Sequence, residues 1–268
     1  MTPVTVGISL KTYFTHARAT GWFADVAARA GSLPALTDGT VRLIVIPTYP
    51  QLPAALEAFA ATPILVGSQD VSAFPPGAYT GEVTGEELAE LGVAFAEIGH
   101  AERRRLFDET DEVTAAKASI VLRAGMQPLL CLGEHGRPGE SDAAAAVVAQ
   151  LHAGLVGAPA GPITVAYEPV WAIGAPEPAP VAHIAGVTTA VREALDALPE
   201  RAGSAVIYGG SAGPGLLSEL GGTVDGLFLG RFGHDVENLL AVIGEATELA
   251  DRRAVGLEDR APAPGVDA

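Results

Sequence analysis

Hydrophobic residues along this chain cluster in short continuous runs rather than alternating with polar ones. Such runs are typical of strands buried on both faces of a parallel sheet. Alanine-rich segments with apolar residues at helical spacing lie between the runs and predict helices. The predicted strands are 4–9, 41–47, 64–66, 93–98, 126–132, 163–167, 205–208 and 224–229, and the clearest helices are 22–30, 52–59, 113–122, 142–155 and 184–198.

Eight strands that alternate with helices predict an α/β fold of the closed (β/α)8 barrel type, a TIM barrel, in a single domain over residues 1–249. An open doubly wound sheet is the competing layout. It usually carries a glycine fingerprint in the first strand-to-helix turn, and "SLKTYFTHAR" has none. Residues 250–268 lose the periodicity and predict a disordered C-terminal tail.

Composition and charge narrow the function classes. The chain of 268 residues is 49% hydrophobic and 18% charged, and its net charge of −16 disfavours sequence-independent binding to nucleic acid or to anionic membranes. The longest uncharged stretch, 143–167, is broken by polar residues and prolines, so no membrane span is expected. The single cysteine, Cys131, and an N-terminus without a secretory pattern favour a reducing, cytoplasmic location.

Candidate catalytic residues follow three of the predicted strands, at the end of a barrel where active sites lie. Ser9 and Lys11 end the first strand, and Lys11 is one of only two lysines among 16 basic residues, which suggests a need for a compact ammonium. His100 and Glu102 follow the fourth strand, where "AERRRLF" predicts a short helix whose N-terminus favours a neutral imidazole. A surface lysine and a helix-capping histidine are the alternatives.

Glu168 ends the sixth strand in "VAYEPVWAIGAPEPAP". Its apolar neighbours would make its carboxylate a better proton acceptor, and the alternative is an exposed residue at a strand terminus. Glycines 209, 210 and 230 could present backbone N–H groups to an anion, although such loops are more often plain turns.

Taken together, these residues resemble the triosephosphate isomerase family. The resemblance covers about residues 4–240 and rests on "SQDVS", "GAYTGEVT", "EIGHAERRRLFDETDE", "CLGE", "VAYEPVWAIG" and "IYGGS", in the family's order and spacing. It implies aldose–ketose isomerisation of a small phosphorylated sugar, dihydroxyacetone phosphate or glyceraldehyde 3-phosphate, through an enediolate. It also implies no metal or organic cofactor and a homodimer in which "VSAFPPGAYTGEV" docks beside the neighbouring active site.

The resemblance also implies a role for each candidate residue. Glu168 would be the base that moves a proton between two carbons, His100 the neutral electrophile, and Lys11 the support for the enediolate and the phosphate, in contact with Glu102. Triosephosphate isomerase is itself the standard example of this pairing of glutamate and histidine under a closing loop. The segment after Glu168 would be that lid, and the phosphate would contact a set comprising Gly174, Ser211, Gly230 and Arg231.

The chain departs from the family pattern at four places. Ser9 stands where the family has an asparagine that contacts substrate, Ala101 replaces a serine, and Arg231 replaces a glycine of the phosphate loop. The lid tip reads "APEP", and Pro176 has no amide N–H for the family's contact to the serine of "YGGS". We expect altered specificity and a different lid latch rather than a lost proton shuttle.

Two substrates therefore remain open. Triose phosphates are the family's default, and "GR" after the eighth strand resembles the branch that isomerises four-carbon erythrulose phosphates in polyol breakdown. A catalytically silent barrel that binds a sugar phosphate or a protein partner is the alternative from another class.

Overall fold

The computed structural model describes residues 2–257. Eight parallel strands close into a barrel in which each strand pairs with the next along the chain and the last pairs with the first. This confirms the predicted (β/α)8 barrel, and every predicted strand is present within a few residues. The strands are β1 (Val4–Ser9), β2 (Val41–Ile46), β3 (Leu65–Ser68), β4 (Phe95–Ile98), β5 (Gln127–Leu132), β6 (Thr164–Tyr167), β7 (Ala205–Tyr208) and β8 (Gly226–Leu229).

Helices follow the strands and surround the barrel, including all five that the apolar spacing predicts. They are α1 (His16–Ala30), α2 (Pro34–Thr37), α3 (Leu52–Phe59), α4 (Gly85–Leu91), α5 (Ala101–Phe107), α6 (Asp111–Arg123), α7 (Glu140–Gly154), α8 (Val181–Asp196), α9 (Leu216–Leu220) and α10 (Val236–Ala254). Short 3₁₀ turns lie at Tyr49–Gln51, Val170–Ala172, Pro199–Arg201, Gly221–Thr223 and Arg231–His234. None of the helices described between residues 2 and 257 has the length and apolar character needed to cross a membrane.

Two helix boundaries differ from the prediction by more than three residues. Helix α1 begins at His16, six residues earlier than predicted, because the Thr15 side chain caps it by accepting a hydrogen bond from the Arg18 N–H. Helix α10 continues to Ala254, so the predicted tail does not begin at residue 250. Its last turn is held to the barrel where the Arg253 guanidinium donates to the Val224 carbonyl at 3.0 Å. Residues 258–268 of the predicted tail lie outside the described part of the chain.

The core has two layers. One fills the space between strands and helices, and the other fills the barrel interior with side chains that alternate along each strand. On β4 the inward position Phe95 is followed two residues later by Glu97, and on β5 Leu129 is followed by Cys131. The interior apolar residues are Ile44, Ile46, Phe95, Leu129, Cys131, Ala166, Ile207 and Phe228.

Candidate active site

Lys11 lies two residues beyond β1 in a left-handed backbone conformation with φ of 46°. Such a conformation is strained for a residue with a Cβ and persists only where its surroundings hold it. The Gln69 side-chain amide donates to the Lys11 carbonyl at 3.0 Å and to the Ile46 carbonyl at 3.2 Å, which ties three strand ends together. The lysine is thereby fixed with its ammonium directed across the barrel mouth.

The Lys11 ammonium meets two residues of the fourth strand end. Its Nζ donates to Glu102 Oε1 at 2.9 Å and lies 3.1 Å from His100 Nε2. Burial lowers the pKa of Lys11, but the carboxylates of Glu168, Glu97 and Glu102 outweigh burial and raise it. Burial raises the pKa of Glu102, and its bond to Lys11 more than compensates and lowers it. Lys11 and Glu102 therefore form an ion pair at neutral pH.

His100 is the N-cap of helix α5, so the capping interpretation and the active-site interpretation both apply to it. Its Nδ1 accepts a hydrogen bond from the Glu102 backbone N–H at 3.0 Å. A neutral imidazole whose Nδ1 accepts must carry its proton on Nε2, and we assign the tautomer from this bond. The Nε2 nitrogen lies 3.3 Å from Glu168 Oε2 without the geometry of a hydrogen bond, and Lys11 lies beside the ring as a positive charge.

Glu168 follows β6 directly and is buried, with 6% of its surface exposed. Its backbone N–H donates to the Leu132 carbonyl at 2.8 Å, which continues the sheet and fixes the direction of its side chain. Within the described residues, Oε2 makes no hydrogen bond of ordinary geometry, so its lone pairs can accept a proton from a ligand. Burial, followed by the charges of Glu168 and Glu97, raises the pKa of the neighbouring Cys131 well above its usual range, so this thiol stays neutral.

Three hydrogen-bond contacts hold the segment after Glu168, which the sequence predicts to be a lid, over the cavity. The Ser211 hydroxyl, on a left-handed residue with φ of 53°, lies 2.8 Å from the carbonyl oxygens of both Ala172 and Ala175. The Ala179 N–H donates to the Tyr208 hydroxyl at 2.9 Å. In this latch the serine is the donor and lid carbonyls are the acceptors, so no N–H at Pro176 is required.

The residues on either side of Glu168 are anchored on Glu134. This buried carboxylate accepts from Trp171 Nε1 at 2.7 Å and from the Tyr167 hydroxyl at 3.2 Å. Burial and the Glu134 charge raise the pKa of Tyr167, which keeps the phenol a hydrogen-bond donor. Sequence reasoning missed Glu134, although "CLGE" at the fifth strand end carried the signal.

A cavity of about 820 Å³ opens at this end of the barrel. Ser9 lies at its bottom and is 2% exposed, whereas Arg231 is exposed at the rim. The guanidinium of Arg231 lies beside Gly174, whose φ is 71°. Across residues 2–257 no carboxylate forms an ion pair with Arg231, so its charge is available to an anion. Of the residues predicted for the site, only buried His100 does not line this cavity. The predicted residues that line it are Ser9, Lys11, Glu102, Glu168, Gly174, Ser211, Gly230 and Arg231.

Sequence reasoning also missed Glu97. It is an inward-facing residue of β4, 4% exposed, and its Oε1 lies 4.0 Å from His100 Nε2. The signal was a lone carboxylate within the apolar run "VAFAEIG", which sequence analysis had taken only as a strand.

Comparison with known proteins identifies the family. The family model for triosephosphate isomerase matches residues 4–246. The chain is 44% identical to the L-erythrulose-1-phosphate isomerase of Pectobacterium atrosepticum, over 93% of this chain and 98% of that protein. It is 38% identical to the triosephosphate isomerase of Thermus thermophilus, over 91% of this chain and 98% of the relative.

A solved structure shares the fold. The triosephosphate isomerase of Bartonella henselae superposes with a TM-score of 0.79 at 26% sequence identity. The superposition covers 92% of this chain and 100% of the Bartonella chain. The chain therefore belongs to the triosephosphate isomerase family and is an aldose–ketose isomerase of sugar phosphates.

Proposed function

We propose that this enzyme moves a proton between adjacent carbons of a phosphorylated keto-sugar, with Glu168 as the base. The observation that carries the proposal is the unpaired Glu168 Oε2, which lies 3.3 Å from His100 Nε2 beside the Lys11 ammonium. Glu168 takes a proton from the carbon next to the carbonyl. His100 Nε2–H and Lys11 stabilise the charge that develops on the oxygens, and Glu168 returns the proton to the neighbouring carbon.

The phosphate is assigned to the rim of the cavity. Backbone N–H groups of Gly174, Ser211 and Gly230 suit an anion, and Arg231 adds a guanidinium that no carboxylate of the described chain neutralises. A local site of this kind lets a protein with a net charge of −16 bind an anion without a basic surface.

Two substrates fit this assignment. Triose phosphates come first, because interconversion of dihydroxyacetone phosphate and glyceraldehyde 3-phosphate is the reaction that names the family, and this would place the enzyme in glycolysis and gluconeogenesis. Four-carbon erythrulose phosphates are supported by Arg231 in the cavity rim and by the 44% identity to an L-erythrulose-1-phosphate isomerase.

The test compares turnover of dihydroxyacetone phosphate and L-erythrulose 1-phosphate. The enzyme should be purified from a host that lacks its own triosephosphate isomerase, because traces of that enzyme would mask the result. We expect turnover of at least one of the two, with kcat/KM in the range of roughly 10⁴ to 10⁸ M⁻¹ s⁻¹. Binding of both without turnover of either would favour the catalytically silent barrel.

We further propose that the enzyme is a cytoplasmic homodimer. The segment 71–83 carries Phe74 and Tyr79, which are 46% and 41% exposed and stack on each other at 4.3 Å. Tyr13, beside the cavity, is 54% exposed. Exposed aromatic residues next to a site are typical of surfaces that a partner covers. Sedimentation equilibrium should give twice the chain mass of 27.2 kDa, and a stable, fully active monomer would contradict the proposal.

A further inference from the structure

Glu97 is an unexplained carboxyl group inside the barrel. Its strand neighbours in the interior are apolar, including Phe95 and Leu129, and its side chain is 5% exposed. Burying a carboxyl group costs free energy unless hydrogen bonds compensate. Nevertheless, Glu97 Oε2 has no hydrogen-bond partner among residues 2–257, and the buried Ser9 hydroxyl, although it lies close enough to Glu97 to influence it, makes no hydrogen bond of ordinary geometry. Unmet capacity of this kind, in two neighbouring groups, indicates a partner that is not part of the chain.

The groups that face Glu97 determine its protonation. Burial, and then the charge of Glu168, raises its pKa, while His100, Lys11 and the Ser9 hydroxyl act in the opposite direction and do not outweigh them. Glu97 is consequently held as a neutral carboxylic acid over a wider pH range than an exposed glutamate. A neutral acid offers one O–H donor and one carbonyl acceptor, the same pair of functions that an amide side chain offers.

Ser9 and Glu97 lie deeper than the phosphate contacts. They belong to strands β1 and β4, whereas Ser211 and Arg231 lie in loops beyond β7 and β8. A ligand with its phosphate at the rim and its reacting carbons at Glu168 would direct any further carbon towards the cavity floor. The short side chain of Ser9 leaves room there that an asparagine would fill.

We propose that Ser9 and Glu97 form a hydroxyl-binding subsite on the cavity floor, which takes the terminal hydroxymethyl group of a four-carbon keto-sugar phosphate. Ser9 contacts the ligand because it lines the cavity, and Glu97 is the positioning residue that orients the Ser9 hydroxyl. This inference rests on the proposed isomerase function and names its substrate class. A triose phosphate has no carbon beyond the reacting pair at this end and gains nothing from the subsite.

The test measures binding of two polyol phosphates that cannot react. One is the tetritol phosphate obtained by reducing L-erythrulose 1-phosphate, and the other is glycerol 1-phosphate, both titrated calorimetrically into the full-length protein. We expect wild type to prefer the tetritol phosphate by about tenfold or more. Glu97→Leu should lose about 10- to 100-fold for the tetritol phosphate and less than about threefold for glycerol phosphate, since only the former reaches the subsite.

Three further variants separate a polar role from a structural one. Glu97→Gln keeps a donor and an acceptor and should retain the preference within about fivefold. Ser9→Ala should lose it, as Glu97→Leu does. Leu129→Met, a packing change beside Glu97 in the same barrel interior, should leave it unchanged. A folded Glu97→Leu variant with the wild-type preference would overturn the inference, and so would a wild type that prefers glycerol phosphate.

A pH series on Glu97→Gln adds a readout that does not depend on a ligand. A buried acid whose folded-state pKa is raised above the unfolded value of 4.5 loses stabilisation as pH rises from there towards the raised pKa. The free energy of unfolding of wild type relative to Glu97→Gln should therefore fall as pH rises above 4.5. Residue 97 faces the same titratable groups in wild type and in Glu97→Gln, namely Lys11, His100, Glu168 and Cys131. A constant difference would overturn the neutral-acid assignment.

The outcomes also distinguish this inference from the proposed isomerase function. Preference for the tetritol phosphate that depends on Glu97, without turnover of either sugar, would support the subsite and contradict the isomerase function. Normal turnover, together with a preference for the tetritol phosphate that does not change in the Glu97 and Ser9 variants, would support the isomerase function and contradict the subsite.

Discussion

Replacing Glu168 by glutamine is expected to lower kcat/KM by a factor of roughly 150 to 5,000 on every substrate the enzyme accepts. This factor corresponds to a loss of about 3 to 5 kcal/mol in transition-state stabilisation. The amide is nearly the same size as the carboxylate but cannot take a proton at the working pH. Both proton transfers use the same carboxylate, so no second base compensates. Steady-state kinetics with the preferred sugar phosphate measures the loss directly.

Glu177→Gln provides the matched control for Glu168→Gln. Glu177 is an exposed glutamate of the same lid segment, so the variant carries the same chemical change without touching the base. We expect its kcat/KM to stay within about twofold of wild type, as is usual for surface substitutions. A Glu168→Gln variant with more than a tenth of wild-type activity would contradict the assignment of the base.

Substituting alanine for Gly133 is expected to have the second largest effect. A Cβ atom at this glycine would lie 1.9 Å from the backbone carbonyl oxygen of Glu168, far inside contact distance. The Gln150 side chain holds Gly133 from the other side through hydrogen bonds of 3.1 Å to its N–H and its carbonyl. The glycine cannot retreat, so Glu168 must move.

Displacement of the base by about 1 Å should lower kcat about 100-fold or more. The phosphate contacts lie elsewhere, so KM should change little, and the free energy of unfolding should fall by about 1 to 3 kcal/mol. Gly244→Ala is the control, because this glycine lies on helix α10 with nothing within 4 Å of the added carbon. It should leave kcat unchanged and raise stability slightly. Wild-type kcat in Gly133→Ala would show that Glu168 does not need its present backbone position.

The fold could be predicted from the sequence because the strands of a closed parallel barrel are buried on both faces and read as continuous apolar runs. Lys11, His100 and Glu168 each follow a predicted strand, which predicts that all three lie at one end of the barrel, where the structure brings them together. Helix α1 was predicted to begin too late because its first turn is polar and is stabilised by the Thr15 cap instead of by an apolar face.

Glu97 could not be recognised from the sequence for a different physical reason. An inward position on a barrel strand is defined by its register with the neighbouring strands, and a run that is apolar on both faces does not reveal which residues point inward. The left-handed backbone of Lys11 is equally invisible in the sequence, because the Gln69 side chain that bonds to it comes from another strand end.

Gln69 links the proposed dimer contact to the active-site lysine. This residue bonds to the strained Lys11 backbone, and it lies two residues before the segment that we expect to dock on a second subunit. Docking would restrain the base of that segment and with it the lysine, whereas an isolated subunit would leave both freer to relax. Activity would then depend on assembly, because the Lys11 ammonium would be misaligned in a monomeric subunit, which would stay nearly inactive.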